Sequence, residues 1–244
     1  MRISLNSKSI DEFLRIQPNG ENEAHRFLFV SNWISELRKK STVLDIGAGT
    51  RPFLEVCRKN ELKYLSHDFN QYVPSSLNIG LQSFGYMASD HDFIFDISDL
   101  PTNITDNAFC TEVLEHVPDP VIALKSCMGA VKNGGSLLIT VPLFSFIHQA
   151  PYYFSAGLSP WWFKYHAGQF GAKSIKIIIV GDYVDFLIQE IPRIFEVIRH
   201  QKSRYLITKS VRKLIKLFAP ILRRWLPDDL LYSTGLSVYV IIRK

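Results

Sequence analysis

The stretch VLDIGAGTRPF, residues 43–53, decides how this sequence is interpreted. An apolar run containing one aspartate has the character of a buried strand, and Gly47 and Gly49 follow one residue apart. Glycine permits a tight turn and lets the main chain approach a ligand closely. The pattern therefore predicts a strand that ends in a glycine turn, with a ligand lying against bare backbone at the edge of a sheet.

Strand and helix patterns alternate along the chain. Short apolar runs are separated by longer segments in which apolar residues recur at helical spacing. Strands are expected in the seven segments 41–47, 63–69, 92–97, 107–114, 136–142, 173–180 and 235–244. This alternation predicts an α/β fold with a doubly wound, mostly parallel seven-stranded sheet. Ligands of such sheets bind beyond the carboxyl ends of the strands.

The helical patterns divide the chain into a central domain and two additions. Residues 1–39 are expected to form an N-terminal helical cap. Residues 40–181 and 231–244 are expected to form the central domain. Between those two parts, residues 182–230 are expected to form a basic amphipathic helical insertion before the last strand.

The positive charge is concentrated in the insertion. The formal net charge is +5, whereas residues 190–225 hold ten basic and two acidic residues, so that this segment carries +8 and the remainder −3. Apolar residues recur at helical spacing between the basic ones, and Pro220 should divide the run into two helices. Such a helix can contact an anionic membrane through 203–226, or pack on the sheet or on a second subunit. Nucleic acid is an unlikely partner, because aromatic residues and glycines are not interleaved with the charges. The sequence does not determine the oligomeric state.

Three cysteines bear on the compartment and on metal binding. Cys57, Cys110 and Cys127 are far apart and fit neither a disulfide framework nor a zinc motif. No metal site is therefore predicted. The first residues are too polar for a secretory signal, and no apolar run is long enough to span a membrane. A cytoplasmic protein is expected, peripheral to the inner face of a membrane if the insertion binds lipid.

The glycine turn favours one class of nucleotide over another. A dinucleotide site would have a third glycine where this chain has Pro52, and no Walker motif occurs. S-adenosylmethionine, which carries no phosphate, is the alternative. Asp68 closes the second strand 19 residues after Gly49, near the separation at which an acid reaches ribose hydroxyls. Asp96 closes the third strand, where it could accept a hydrogen bond from an adenine amine while Ile97 packs on the ring.

Five motifs in this order carry a resemblance to a known family: VLDIGAGT, HDF, DISDLP, TEVLEHVPDP and NGGSLLITVP. Together they resemble the class I S-adenosylmethionine-dependent methyltransferases over roughly residues 40–180 and the last strand, and TEVLEHVPDP is the most specific of them. The resemblance implies a Rossmann-like methyltransferase fold with S-adenosylmethionine as cofactor. It implies these contacts: Asp45, Gly47, Ala48 and Gly49 with the methionyl and ribose parts, Asp68 and Phe69 with ribose and adenine, Asp96 and Ile97 with adenine, and Thr111 and Glu112 near the methionine end.

Two histidines are the candidate catalytic residues. Methyl transfer needs mainly an aligned nucleophile, and a base only if the acceptor is a hydroxyl or a protonated amine. His148, after the fifth predicted strand, and His116, after the fourth, are candidates for a base or for a substrate contact; a structural role in the loop is the alternative for each. Glu112 and Glu115 are three residues apart, which favours structural or cofactor-adjacent roles over a shared acid/base site.

The sequence as a whole predicts a methyltransferase that acts on a small-molecule, glycan or lipid-linked acceptor at oxygen. Aromatic residues in 152–165 could line the acceptor cleft, although Trp162 and Phe163 are expected in the core between helix and sheet. One alternative is a catalytically silent scaffold that binds S-adenosylmethionine. The other is a nucleic-acid or protein methyltransferase, although no NPPY-type element follows the fourth predicted strand.

Overall fold

The computed structural model describes residues 13–18, 22–73, 90–196 and 201–244, with the side chains of 194–196 and 201–205 left aside. Its strands are β1 (Leu14–Ile16), β2 (Thr42–Ile46), β3 (Lys63–Asp68), β4 (Phe93–Ile94), β5 (Thr105–Thr111), β6 (Val131–Pro142), β7 (Ser174–Val180) and β8 (Ser237–Arg243). Its α-helices are α1 (Asn22–Ser35), α2 (Leu54–Lys59), α3 (Pro120–Ala130), α4 (Pro160–Gln169), α5 (Tyr183–Glu196), α6 (Gln201–Trp225) and α7 (Asp228–Leu231). Two single 3₁₀ turns, Ile97–Asp99 and Leu114–His116, follow β4 and β5.

The described strands form one mostly parallel sheet in the order β1-β7-β8-β6-β5-β2-β3-β4. Only β8 runs antiparallel to its neighbours, β6 and β7. The predicted fold class is confirmed. The sheet has eight strands rather than the expected seven, because β1 pairs with β7 at the edge and residues 1–39 thus contribute a strand as well as a helix.

The winding direction of the sheet reverses between β2 and β5. The chain runs outward through β2, β3 and β4 and then returns to place β5 on the other side of β2. In doubly wound sheets this reversal opens a crevice at the carboxyl ends of the strands. The crevice lies where the glycine turn leaves β2.

Alternate residues of the central strands pack on opposite faces of the sheet. On one face Leu44 and Ile139 join a core with Leu124 of α3 and Phe163 of α4. The other face packs against α1 and α2 through the buried residues Val30, Ile34, Val43, Cys57, Phe109 and Leu138. Phe163 is fully buried, as expected. All three cysteines are buried free thiols.

The insertion consists of α5 and α6, which pack against each other. Pro220 does not divide the run, because α6 continues through it to Trp225. Proline removes one intrahelical hydrogen bond, but Ala219 and Leu222 on either side of it pack against Val184 of α5, and this packing holds the helix together. Helix α5 is described to Glu196 and α6 from Gln201, and residues 197–200 lie outside the described residues. In the part of the chain that the structure describes, no helix combines the length and apolar character needed to cross a membrane.

Candidate functional site

The turn after β2 has a conformation that requires glycine. Gly47 and Gly49 have φ angles of 71° and 50°. The Gly47 N–H donates to the carbonyl of His67 at 2.8 Å, and the Gly49 N–H donates to the Asp68 carboxylate at 2.9 Å. A Cβ on Gly47 would lie 2.3 Å from a methyl group of Val113. Side chains are therefore excluded here by the turn and by Val113, and the turn is fastened to the end of β3.

A cavity of about 380 Å³, the first cavity, opens beyond this turn. Its size is typical of small-molecule sites. Eight of the residues predicted from the sequence line it: Gly47, Gly49, Asp68, Phe69, Asp96, Ile97, Glu112 and His116. The structure thus brings together residues from the ends of β2, β3, β4 and β5.

Three residues predicted to contact the cofactor are not part of this lining. Asp45 is buried at the end of β2, where its carboxylate accepts a hydrogen bond from the Tyr64 hydroxyl at 2.7 Å. Ala48 is buried, and its N–H donates to the carbonyl of His67 at 2.9 Å. Thr111 is the last residue of β5 and pairs with Thr140 of β6. All three belong to the framework that holds the lining residues in place.

Two acids of the first cavity are held by main-chain N–H groups. Asp68 accepts from Gly49, as described, and from the Asn70 N–H at 2.8 Å. Asp96 precedes the 3₁₀ turn Ile97–Asp99 and accepts from the N–H and hydroxyl of Ser98 at 2.8 and 2.7 Å. These bonds from Ser98 lower the pKa of Asp96. Both carboxylates are fixed by local turns at the carboxyl edge of the sheet.

A second cavity, of about 400 Å³, lies beside the first and is bordered by α1, α5 and α6. Glu112 lines both cavities. Its backbone has a φ of 55°. Its carboxylate forms an ion pair with Arg26 of α1 at 3.2 Å and accepts a hydrogen bond from the Thr140 hydroxyl at 2.9 Å. The second cavity is rich in basic residues, with Arg26, Arg193, Arg212 and Lys216 in its lining against the acids Glu23, Glu112 and Asp185.

The two candidate catalytic histidines meet where the cavities adjoin. His116 lines the first cavity and His148 the second, and their ring centroids are 4.8 Å apart. Burial, together with the nearby His148, lowers the pKa of His116 to about 4. Burial also lowers the pKa of His148. Both imidazoles are therefore neutral at pH 7, when each can offer an unprotonated nitrogen to a ligand.

Comparison with known families identifies the domain. A family model described as a methyltransferase domain matches residues 22–175. The chain belongs to this methyltransferase family. The family's cofactor is S-adenosylmethionine, as the sequence predicted. Comparison of the methyltransferase with curated proteins found no significant match.

Solved structures of low sequence identity share the fold of the methyltransferase. A SAM-dependent methyltransferase from Archaeoglobus fulgidus is 16% identical, with a TM-score of 0.55 over 92% of this chain and 95% of the other. Phosphoethanolamine N-methyltransferase 2 from Haemonchus contortus is also 16% identical, with a TM-score of 0.52 over 94% of this chain and 54% of that enzyme. The [4+2]-cyclase SpnF is 18% identical, with a TM-score of 0.52 over 91% and 82% of the two chains. At these identities the likeness concerns the fold alone.

The first cavity fits S-adenosylmethionine chemically. The turn at Gly47 and Gly49 leaves main chain exposed to a ligand, and Asp68 and Asp96 offer carboxylates to hydroxyl and amine groups. Phe69 and Ile97 supply apolar surface for a flat ring. Charge, polarity and shape therefore suit a nucleoside that carries no phosphate.

Asp45, beneath the glycine turn, has an unusual pKa. Burial raises this pKa to about 7; the hydrogen bond from Tyr64 opposes the rise, and the charge of Asp68 adds to it. The folded protein therefore holds this proton up to about pH 7, whereas the unfolded chain releases it near the ordinary value of 3.8. It follows that stability falls as the pH rises between these two values and is unaffected by this group above them.

Asp45→Asn is expected to remove this pH dependence. The two pKa values together predict that wild type loses about 2–3 kcal/mol more stability than the variant between pH 5 and pH 8. Urea unfolding of both proteins at the two pH values measures the difference, and Asp99→Asn, an exposed acid, is the control. Parallel pH profiles for wild type and Asp45→Asn would show that the buried carboxyl is not protonated.

Several residues of the site were not predicted from the sequence. Arg26 of α1 reaches Glu112, although α1 was expected only as part of a cap. His67 of β3 also lines the first cavity. Tyr152, one of the aromatic residues expected to line the acceptor cleft, lies instead in the lining of the first cavity, where it contacts Phe69 with ring centroids 5.1 Å apart. The local sequence around each of these residues carries no signal for such long-range contacts.

Proposed function

We propose that the protein transfers the methyl group of S-adenosylmethionine to an oxygen of a small-molecule, glycan or lipid-linked acceptor bound in the second cavity. One observation carries the proposal: the two cavities adjoin at Glu112, His116 and His148. The first is lined by seven of the ten residues that the family resemblance assigns to the cofactor. The second is open to an acceptor, and its lining carries four basic and three acidic residues.

In this proposal the first cavity binds and orients the methyl donor. Gly47 and Gly49 present main chain to its methionyl and ribose parts. Asp68 accepts hydrogen bonds from the ribose hydroxyls, and Asp96 accepts one from the adenine amine while Ile97 packs on the ring. When bound, the cofactor supplies a methyl group activated by the positive charge on its sulfur. The protein's contribution is to align the acceptor with that group and to exclude water.

The histidine pair acts on the acceptor in this proposal. Nδ1 of His148 donates to the carbonyl of Phe146 at 3.0 Å, which leaves Nε2 to bind an acceptor hydroxyl. Because burial favours the neutral ring, the nitrogen is unprotonated at pH 7. A hydrogen bond from the acceptor hydroxyl to a histidine would increase the electron density on the attacking oxygen.

Titration calorimetry tests the proposal. S-adenosylmethionine and S-adenosylhomocysteine should each bind one site per chain, and NAD, which requires pyrophosphate contacts, should not bind. Failure of both adenosyl compounds to bind would overturn the proposal. Binding of both, with no methyl transfer to sugar, phenol or phosphate-bearing hydroxyl acceptors, would favour the alternative of a silent scaffold.

We also propose that α6 contacts an anionic membrane surface. The helix packs on α5 through one side, including Ala219 and Leu222. Its exposed side carries large apolar residues, of which Trp225 is 81% exposed: Leu206, Ile207, Leu214, Leu217, Phe218, Ile221 and Trp225. Basic residues border this side, namely Lys209, Lys213, Lys216 and Arg224. Apolar residues beside cationic ones are complementary to a bilayer with acidic headgroups.

The position of α6 connects this surface with the acceptor site. Arg212 and Lys216 of the same helix line the second cavity. A helix lying on the bilayer would therefore bring the second cavity close to the headgroups, where a lipid-linked acceptor could enter. The side chains of the first three residues of the predicted contact region, 203–226, are not described, and the exposed apolar residues of α6 lie within 206–225.

A double variant, Leu217→Ser with Phe218→Ser, is expected to lower binding to phosphatidylserine-containing vesicles by at least about 100-fold, because each removed side chain loses roughly 1.5–3 kcal/mol of burial in lipid. Vesicle sedimentation measures this change, and Ile122→Ser on α3, where Ile122 is 50% exposed, is the matched control. Wild type should bind neutral phosphatidylcholine vesicles more weakly. Equal sedimentation of the double variant and wild type would reject the proposal. It would also be rejected if wild type is a dimer and the double variant is a monomer, because the exposed apolar side of α6 would then be a subunit interface.

A further inference from the structure

We infer that Glu115, His116 and His148 form a binding site for a divalent transition-metal ion at the junction of the two cavities. Each residue offers a ligand atom, and these atoms lie within 4.8 Å of one another. The inference deepens the proposed function, on which it rests, and it departs from the sequence, which predicted no metal site. Three observations support it.

The first observation is that the carboxyl group of Glu115 has no hydrogen-bond partner among the described residues. Its side chain is fully buried, and both carboxylate oxygens lack a partner among the described residues. Leaving a buried carboxyl without a partner is costly. A bound cation would satisfy both oxygens.

The second observation is the orientation of the two histidine rings. Nδ1 of His116 donates to the carbonyl of Tyr152 at 2.5 Å, and Nδ1 of His148 donates to the carbonyl of Phe146 at 3.0 Å. A carbonyl only accepts, so Nδ1 carries the hydrogen in both rings and Nε2 keeps its lone pair. Metal-binding histidines are held in the same way, with the second ring nitrogen donating to a carbonyl or carboxylate.

The third observation is the spacing of the donor atoms. Nε2 of His116 lies 3.7 Å from Oε1 of Glu115, too far for a hydrogen bond. Two ligands at 2.0–2.2 Å from a tetrahedral ion are about 3.4 Å apart. This distance therefore suits two groups that share an ion, and the ligand atom of His148 lies within 4.8 Å of both.

The donor set indicates which ions would bind. Two imidazoles and one carboxylate suit zinc and neighbouring first-row metals, whereas magnesium and calcium prefer oxygen ligands. Three protein ligands leave a coordination position open, as in catalytic zinc sites. With the ion bound, Nε2 of His148 binds the metal in place of the acceptor hydroxyl. That hydroxyl, entering from the second cavity, would take the open position, and coordination would lower its pKa without a dedicated base.

Cobalt titration tests the site without measuring activity. Protein freed of metal with a chelator should bind one equivalent of Co²⁺, with the visible absorption of a four- or five-coordinate ion, and Zn²⁺ should displace it. His148→Ala and Glu115→Gln should each weaken Co²⁺ binding about 100-fold or more, since each removes a ligand. His166→Ala, a histidine of α4 outside the site, is the matched control and should bind as wild type does.

The outcomes separate this inference from the proposed function. Absence of the cobalt spectrum, or a spectrum and affinity unchanged in both ligand variants, would overturn the metal site. If Glu115→Gln fails to fold, as judged by circular dichroism, His148→Ala decides the matter. The affinity for S-adenosylmethionine is measured on the same metal-free protein. If this protein binds the cofactor but not the metal, only the metal site is rejected. If wild type does not bind the cofactor, the proposed function is rejected.

Discussion

Asp68→Ala is expected to weaken the binding of S-adenosylmethionine to the methyltransferase about 100-fold. In the proposed complex the carboxylate accepts hydrogen bonds from the ribose hydroxyls, and bonds to a charged group contribute roughly 1.5–3 kcal/mol each. The substitution also removes the acceptor for the Gly49 N–H, a bond of 2.9 Å that fastens the glycine turn to β3. Both losses act on the same ligand, so the effect on affinity should exceed that of either alone.

Calorimetry with S-adenosylhomocysteine, the more stable ligand, measures the change. Asp99→Ala is the matched control, since Asp99 belongs to the neighbouring 3₁₀ turn, is exposed and does not line the first cavity. Asp68→Asn should lie between wild type and Asp68→Ala, because an amide oxygen can still accept from Gly49. An affinity of Asp68→Ala within threefold of wild type, in a variant that unfolds at the same temperature, would remove Asp68 from the proposed binding site.

The fold could be predicted largely because its signals are local. The apolar runs of β2, β8 and the second half of β6 (137–142) are buried on both faces, so the sequence there is almost continuously apolar. The sequence did not predict β1, because it is a three-residue edge strand whose partner, β7, lies far along the chain. The break predicted at Pro220 was wrong because local propensity was outweighed by packing between α5 and α6.

In the candidate site, too, residues whose position follows from the local sequence could be predicted, and residues placed by long-range contacts could not. Gly47, Gly49 and Asp68 stand next to strand ends, so a motif was enough to predict that they would meet at the sheet edge. Arg26 could not be assigned, because its contact with Glu112 depends on how α1 packs on the sheet. His116 and His148 were selected individually, but their approach depends on the loop that follows β6.

Arg223→Ala is expected to lower the free energy of unfolding by about 3 kcal/mol, the cost of leaving a buried charge unpaired. Nε of Arg223 in α6 contacts Asp182 at 2.8 Å, and Nη2 contacts Asp185 at 2.6 Å. Asp182 is almost fully buried between β7 and α5. Arg223 therefore ties α6 to the end of the sheet, and its loss should release α6 from the sheet before the central domain unfolds.

Urea unfolding, monitored by circular dichroism, measures this effect, and the control Arg224→Ala, on the exposed side of the same turn, should change the free energy of unfolding by less than about 0.5 kcal/mol.

A second variant distinguishes the effect of the buried charge from that of lost packing. If the unpaired carboxylate is the cause, the double variant Arg223→Ala with Asp182→Asn should recover part of the lost stability, because the uncompensated charge is gone. If the double variant is less stable than Arg223→Ala, the arginine acts mainly through its packing. Equal stabilities for Arg223→Ala and Arg224→Ala would mean that the pair with Asp182 does not hold the insertion on the sheet.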